Sequence, residues 1–275
     1  MRTRTSLLVL LGAALCAAGP ATQPAASQPA ASQPAATAPA VDAATMAVLN
    51  RLEAAGTKYP NIMADLDYRV DMIEAGDREE FTGKVYYQAG NATEPARFRI
   101  HFDTRRQSGG PRTRVSEDYV FDGSWLTVRK ERTKQFTRYQ VAAPGKRVNA
   151  LELGRGPFPM PFGQKAATVI EYFVPTTRAP AKDDLPETDY IKLVTRPRHE
   201  PDLTVRWIEM WVDRRLGLPV KIVAVDKSGN ISTVVFDRKT IATPKEFPTG
   251  TFELPTPPRR EGWDVRIEKF EGQVP

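Results

Sequence analysis

From Met63 onward the sequence alternates with a period of two, and this constrains the fold more than any other feature. Leu66, Tyr68, Val70 and Met72 alternate with Asp65, Asp67, Arg69 and Asp71. Phe81, Val85 and Tyr87 follow on a second run. Phe98, Ile100 and Phe102 then alternate with Arg97, Arg99, His101 and Asp103. Successive side chains of a strand point to opposite faces, so these runs predict half-buried strands. Further strands are predicted over 114–121, 124–132 and 133–141, then over 190–196, 203–213, 219–226 and 231–241. A last extended piece is expected at 250–254, before a polar tail with Trp263, Val265 and Ile267. Turn signals separate the runs, among them Gly90-Asn91, Gly109-Gly110-Pro111, Gly217-Leu218-Pro219 and, most clearly, Asp122-Gly123.

Two stretches break the period. Asp42 is a good N-cap, and 43–55 is rich in helix formers. Val48, Leu49, Leu52 and Ala55 form one apolar stripe, and Gly56 is the predicted stop. Midway, a Gly/Pro loop over 153–163 carries Phe158, Met160 and Phe162. A short helix is predicted after it, over 164–173, with Val169, Ile170 and Phe173 on one face and Pro175 closing it. The expected class is α+β, mainly β, with one domain over 42–275.

The N-terminus reads as an export signal over 1–21. Arg2 and Arg4 precede an apolar run from Leu7 to Leu15. Such a run is too short to span a bilayer, which takes roughly twenty residues. Small residues at Ala17, Ala18, Gly19 and Ala21 suit cleavage. Cys16 is the sole cysteine. It is either a lipid-acceptor residue or part of the discarded leader. Leu15 stands where lipoprotein signals carry Gly, Ala or Ser, which favours the second. A mature chain without Cys16 has no disulfide and no thiol chemistry. Residues 22–41, with Pro-Ala-Ala-Ser-Gln recurring at Pro24 and Pro29, read as a disordered Pro/Ala linker. No transmembrane segment is expected in the mature chain, and its place is the periplasm or another extracytoplasmic compartment.

The chemistry available is narrow. Loss of the leader removes two of the positive charges behind a formal net charge of +6. No dense basic block with interleaved aromatics remains, which argues against nucleic acid. His101 and His199 stand alone, without metal-ligand spacing. There is no Gly-x-Ser-x-Gly elbow, and Gly154-Arg155-Gly156 runs into Pro157 rather than a phosphate-binding helix. Asp183-Asp184 is expected to be a solvated loop pair. Arg97, Arg99, Arg105 and Arg106 read as solvated strand-edge charges, with acidic head groups as the other reading. No catalytic residue, metal or cofactor is called.

In its order of elements the chain resembles the periplasmic lipoprotein-carrier superfamily, the LolA/LolB-like fold. The resemblance rests on the first helix leading into 62–72, and on Asp122-Gly123-Ser124-Trp125-Leu126. It rests also on the helix that interrupts the sheet, and on Trp207-Ile208-Glu209-Met210-Trp211-Val212-Asp213 with Gly217-Leu218-Pro219-Val220-Lys221-Ile222 behind it. Phe247-Pro248-Thr249-Gly250-Thr251-Phe252-Glu253-Leu254-Pro255 resembles the family's closing segment. The Pro/Ala linker and the Pro-rich 157–161 loop have no counterpart in the carrier.

The resemblance implies a half-open antiparallel β-barrel whose mouth is covered by short helices over an apolar cavity. It implies a non-enzymatic carrier that takes acyl chains of lipids or lipoproteins, with membrane-bound donor and acceptor proteins as partners. The alternative on the same fold is an envelope lipid sensor acting through a protein partner. A dry apolar lining suffices for such a ligand, since each buried methylene is worth about 0.8 kcal/mol. The candidate liners are Val70, Met72, Phe98, Ile100, Phe102, Trp207, Met210 and Ile222. The candidate lid residues are Leu49, Leu52, Phe158, Met160, Phe162 and Ile170.

Overall fold

The computed structural model describes residues 41–91, 93–141, 153–154 and 162–269. Asp42 caps helix α1 (Ala43–Lys58), its carboxylate accepting from the Thr45 backbone N–H at 2.9 Å. Val48, Leu49, Leu52 and Ala55 are its buried stripe, as the spacing predicts. The helix does not stop at Gly56 but runs to Lys58. Gly56 is buried instead where a Cβ would lie 2.6 Å from the Gly163 Cα. Close backbone approach, not a helix end, calls for glycine there.

The strands are β1 (Asn61–Met72), β2 (Asp77–Gln88), β3 (Arg97–Gln107), β4 (Thr113–Phe121), β5 (Trp125–Lys130) and β6 (Gln135–Gln140). After helix α2 (Ala166–Tyr172) come β7 (Phe173–Arg178), β8 (Thr188–Thr195), β9 (Val205–Asp213), β10 (Pro219–Asp226), β11 (Ile231–Phe236) and β12 (Asp264–Glu268). They form one sheet in the order β12-β6-β5-β4-β3-β2-β1-β11-β10-β9-β8-β7. Its two outermost strands do not meet, so the sheet is open, and neighbours are antiparallel except for β12 beside β6.

Three boundaries differ from the expectation. Phe173 and Pro175 belong to β7, not to the end of a helix. β7 is the sheet edge, where a residue without an N–H is tolerated. Residues 237–241 and 250–254 lie outside the strands, and Asp237 and Gly250 head turns there. The polar tail supplies β12. The Asp122-Gly123 turn forms as read: the Asp122 carboxylate accepts from the backbone N–H of Ser124 and Trp125, and Gly123 has φ +102°.

Register shifts between Thr82 and Gly83 and between Phe102 and Thr104 mark bulges in β2–β3 and β3–β4. Bulges bend and twist a sheet, which curls this one toward a half-barrel. Gly83 permits the tightest point, since a Cβ there would lie 2.0 Å from the His101 carbonyl oxygen.

The C-terminal chain crosses the outer face. Ala242 bridges to Met63, and the Asn61 side-chain amide donates to the Lys245 carbonyl at 2.6 Å. Phe247 packs edge-on against Tyr86 and Phe252. Arg97 lies over Phe252 at 5.5 Å, and Arg99 donates to the Thr251 carbonyl at 3.3 Å. Arg129 lies over Trp263 at 5.0 Å. Arg97 and Arg99 thus secure this strap rather than standing in solvent.

Beneath it, the buried Asp118 carboxylate accepts from Arg99 Nε at 2.8 Å and sits 3.0 Å from His101 Nδ1. Hydrogen bonding to Asp118 raises the His101 pKa, against the opposing effect of its burial. A raised folded value means that this pair contributes fully below the unfolded histidine value, about 6.5, and is lost as pH rises through the folded value. In Asp118→Asn, the His101 midpoint followed by NMR should drop. The stability gained by acidifying through that range should shrink with it. An unmoved midpoint would show that Asp118 does not set it.

Candidate functional site

The concave face is built from one parity of each strand. On β1 it carries Leu66, Tyr68, Val70 and Met72, and the first three lie opposite Phe236, Val234 and Ser232 of β11. Ile222 and Ala224 continue it on β10, opposite Met210 and Ile208 of β9. Leu193 and Ile191 follow on β8. On the other side it runs through Phe81, Val85 and Tyr87 of β2 to Phe98, Ile100 and Phe102 of β3, then to Phe121 and Tyr119 of β4.

Helix α1 lies on this face with Leu49 and Leu52 buried against it, and Val169 of α2, Leu153 and Phe162 join the same core. Polar contacts hold the helices at their margins. Thr45 and Thr177 hydroxyls meet at 2.9 Å, tying α1 to β7. Arg51 pairs with Asp189, which also accepts from Arg214 at 2.8 Å. The Glu53 carboxylate accepts from the Ala166 N–H at 3.0 Å, so α1 supplies the cap of α2.

Toward the β1–β2 turn the wall becomes aromatic. Tyr68 stacks on Phe81 and Phe102 with centroids 6.1 and 5.9 Å apart, and Tyr119 meets Phe102 edge-on at 5.8 Å. Burial raises the pKa of Tyr68 and Tyr119, so both phenols stay neutral. Charges on this wall are paired: Glu79 with Arg105, and Glu117 with Lys130 at 3.4 Å.

The structure brings most of the sequence-predicted residues to this face. Phe98, Ile100, Phe102, Met210 and Ile222 are fully buried in the core, while Val70 and Met72 are half-buried. Leu49, Leu52, Phe162 and the partly buried Ile170 cover them. Phe158 and Met160 lie outside the described residues. Trp207 is a correction. It is an odd number of residues from Met210 and therefore faces outward, with Lys192 over its ring at 4.6 Å. Sequence reasoning passed over Tyr68, Phe81 and Tyr87, although their parity with Leu66, Val70 and Val85 already placed them.

Asp184 is a second correction. It is not a solvated loop carboxylate but is clamped by Arg178 at 2.6 and 2.8 Å, by Trp211 Nε1 at 2.7 Å and by the Ala181 N–H at 2.7 Å. Arg178 foremost holds it far below the usual carboxylate range. The clamp fastens the β7–β8 loop to β9. Arg105 and Arg106 pair with Glu79 and Glu80. Among the described residues no group of three or more His, Cys, Asp or Glu could hold a metal ion. No described helix is long and apolar enough to cross a membrane.

No protein-family model and no curated protein matches the sequence. Several solved structures are similar to it. One is an uncharacterized conserved protein from Thermus thermophilus, 11% identical over 82% of this chain and 99% of that one, with a TM-score of 0.45. Another is the Mycobacterium tuberculosis lipoprotein LppX, 10% identical over 76% and 100%, at 0.43. A third is a LolA superfamily protein from Nitrosomonas europaea, 13% identical over 76% and 97%, at 0.34. At such identities and scores these likenesses bear on no question of function. The open, curled sheet with helices on its concave side is nonetheless the half-open architecture that the sequence leads one to expect.

Proposed function

We propose that this domain is a non-catalytic acyl-chain-binding module of the cell envelope, a carrier of lipid or lipoprotein chains. One observation carries the reading. A continuous apolar wall spans β8 to β4, and the described chain covers it with helices of only 16 and 7 residues and a few loop side chains. Those helices are fastened at their margins by single hydrogen bonds and ion pairs, each worth about 1 kcal/mol or less. Acyl chains can replace their apolar faces on the wall at little net cost, because the area each buries is of the same kind. An export signal at the N-terminus would deliver the module outside the cytoplasm, and acyl chains in transit between membranes are a ligand of matching chemistry.

The test is extraction. Protein purified from its natural compartment should yield acyl species by mass spectrometry of an organic extract, in stoichiometric rather than trace amounts. A clean extract, together with no uptake of a fluorescent fatty acid by the delipidated protein, would overturn the reading. A protein captured in lipid-free form would point to the sensor alternative.

A further inference from the structure

A cleft of about 620 Å³ opens at the end of the sheet where α1 stops and β2 turns toward β3. Pro60, Ala89, Pro95 and Phe162 give it apolar walls, and Lys165 stands among its lining residues with Glu53, which accepts from the Ala166 N–H, and Glu94, which pairs with Arg97. Tyr87 also lines it, although the residue is only 3% exposed. The Tyr87 ring packs on Phe162 with centroids 5.3 Å apart.

The hydroxyl of Tyr87 makes no hydrogen bond among the described residues. Its pKa is pushed up to about 12, and burial is the whole cause; no hydrogen bond contributes. At neutral pH it is therefore a permanent donor. The oxygen is not among the side-chain atoms sealed from solvent without a partner, so it is the part of this residue that reaches the cleft, where the acceptor oxygen of a ligand can take the place of water. The approach to it is kept open by Gly163, where φ is +69° and a Cβ would stand 2.8 Å from the Tyr87 oxygen. Phe162 separates the cleft from the concave wall: it touches Tyr87 on one side and Phe236 at 5.5 Å on the other.

We propose that this cleft is the head-group end of the acyl site, where Tyr87 donates to the carbonyl oxygen of an ester-linked acyl ligand and the tail passes Phe162 onto the concave wall. The ligand class is a single- or multi-chain acyl ester with a polar head, the head lying toward Lys165. This rests on the acyl-binding reading and adds a linkage preference to it.

The probes are lysophosphatidylglycerol and its ether-linked analogue, which share head group and chain but differ in the carbonyl. Both are titrated into the delipidated full chain below their micelle concentrations. The wild type should bind the ester about fivefold more tightly than the ether, the worth of one ordinary hydrogen bond. Tyr87→Phe keeps the ring against Phe162 and should bind both probes alike, at the affinity the wild type shows for the ether. Equal wild-type affinities, or an ester preference that survives in Tyr87→Phe, would overturn the subsite while leaving acyl binding intact. Binding of neither probe by the wild type would remove the acyl reading itself, and the subsite with it.

Discussion

Cross-linking α1 to β7 should abolish acyl uptake, and reduction should restore it. Thr45 and Thr177 touch through their hydroxyls at 2.9 Å, one on the helix and one on the edge strand. A Thr45→Cys/Thr177→Cys pair places two thiols at that contact. Cys16 is the chain's only native cysteine, so few competing pairings exist. The bond would join residues 132 apart in sequence. By loop-entropy arithmetic it would stabilise the native chain by roughly 3–5 kcal/mol. If acyl chains reach the concave wall by displacing α1, that stabilisation acts directly against uptake. A fluorescent fatty acid should then bind the oxidised variant at least tenfold more weakly than the reduced one. The thermal midpoint should move the opposite way, up on oxidation. Full uptake by the oxidised protein would show that α1 does not move, and would leave α2 with Leu153 and Phe162 as the remaining cover among the described residues.

How much of this was legible in the sequence depends on which interaction decides each element. Period-two runs placed β1 to β3 and β9 to β11 because one face of each strand is buried and the other wet. Their parity held even where the boundaries slipped. What failed was decided by distant partners. Nothing local marks Phe173–Arg178 as a strand, since Pro175 reads as a stop; only its place at the sheet edge makes it acceptable. The short run Asp264–Glu268 pairs in parallel with a strand more than a hundred residues earlier, which no turn signal announces. Gly56 looked like a helix end because its contact, Gly163, is remote in sequence. The site divides in the same way. Phe98, Ile100, Phe102, Met210 and Ile222 were found by alternation, but the same rule applied to Trp207 would have removed it. Tyr87 could be placed on the wall from its parity with Val85. Its unmet hydroxyl could not, because an absent partner is a property of three-dimensional packing.

Met210 and Trp207 turn that parity into the second large effect. Met210 is 1% exposed, opposite Ile222 on one neighbouring strand and Ile191 on the other. Met210→Arg would bury a guanidinium with no carboxylate on the residues it opposes. Uncompensated buried charge costs several kcal/mol, so about 4 kcal/mol or more of stability should be lost. That is a large part of what a domain has, and the urea midpoint should fall accordingly or the protein should fail to fold. Trp207→Ala, three positions away, removes a half-buried outward ring and its contact with Lys192. Its cost should be about 1 kcal/mol, from lost area and one cation–π contact. Acyl binding by Trp207→Ala should equal that of the wild type, because its ring faces away from the concave wall. If instead Trp207→Ala loses the ligand while staying folded, the binding surface is the outer face of β8 to β10, and the helices on the inner face are plain core cover. If Met210→Arg stays folded and merely loses the ligand, the wall beneath the helices is an open lining rather than a packed interior, and uptake needs less helix displacement than the cross-link assumes.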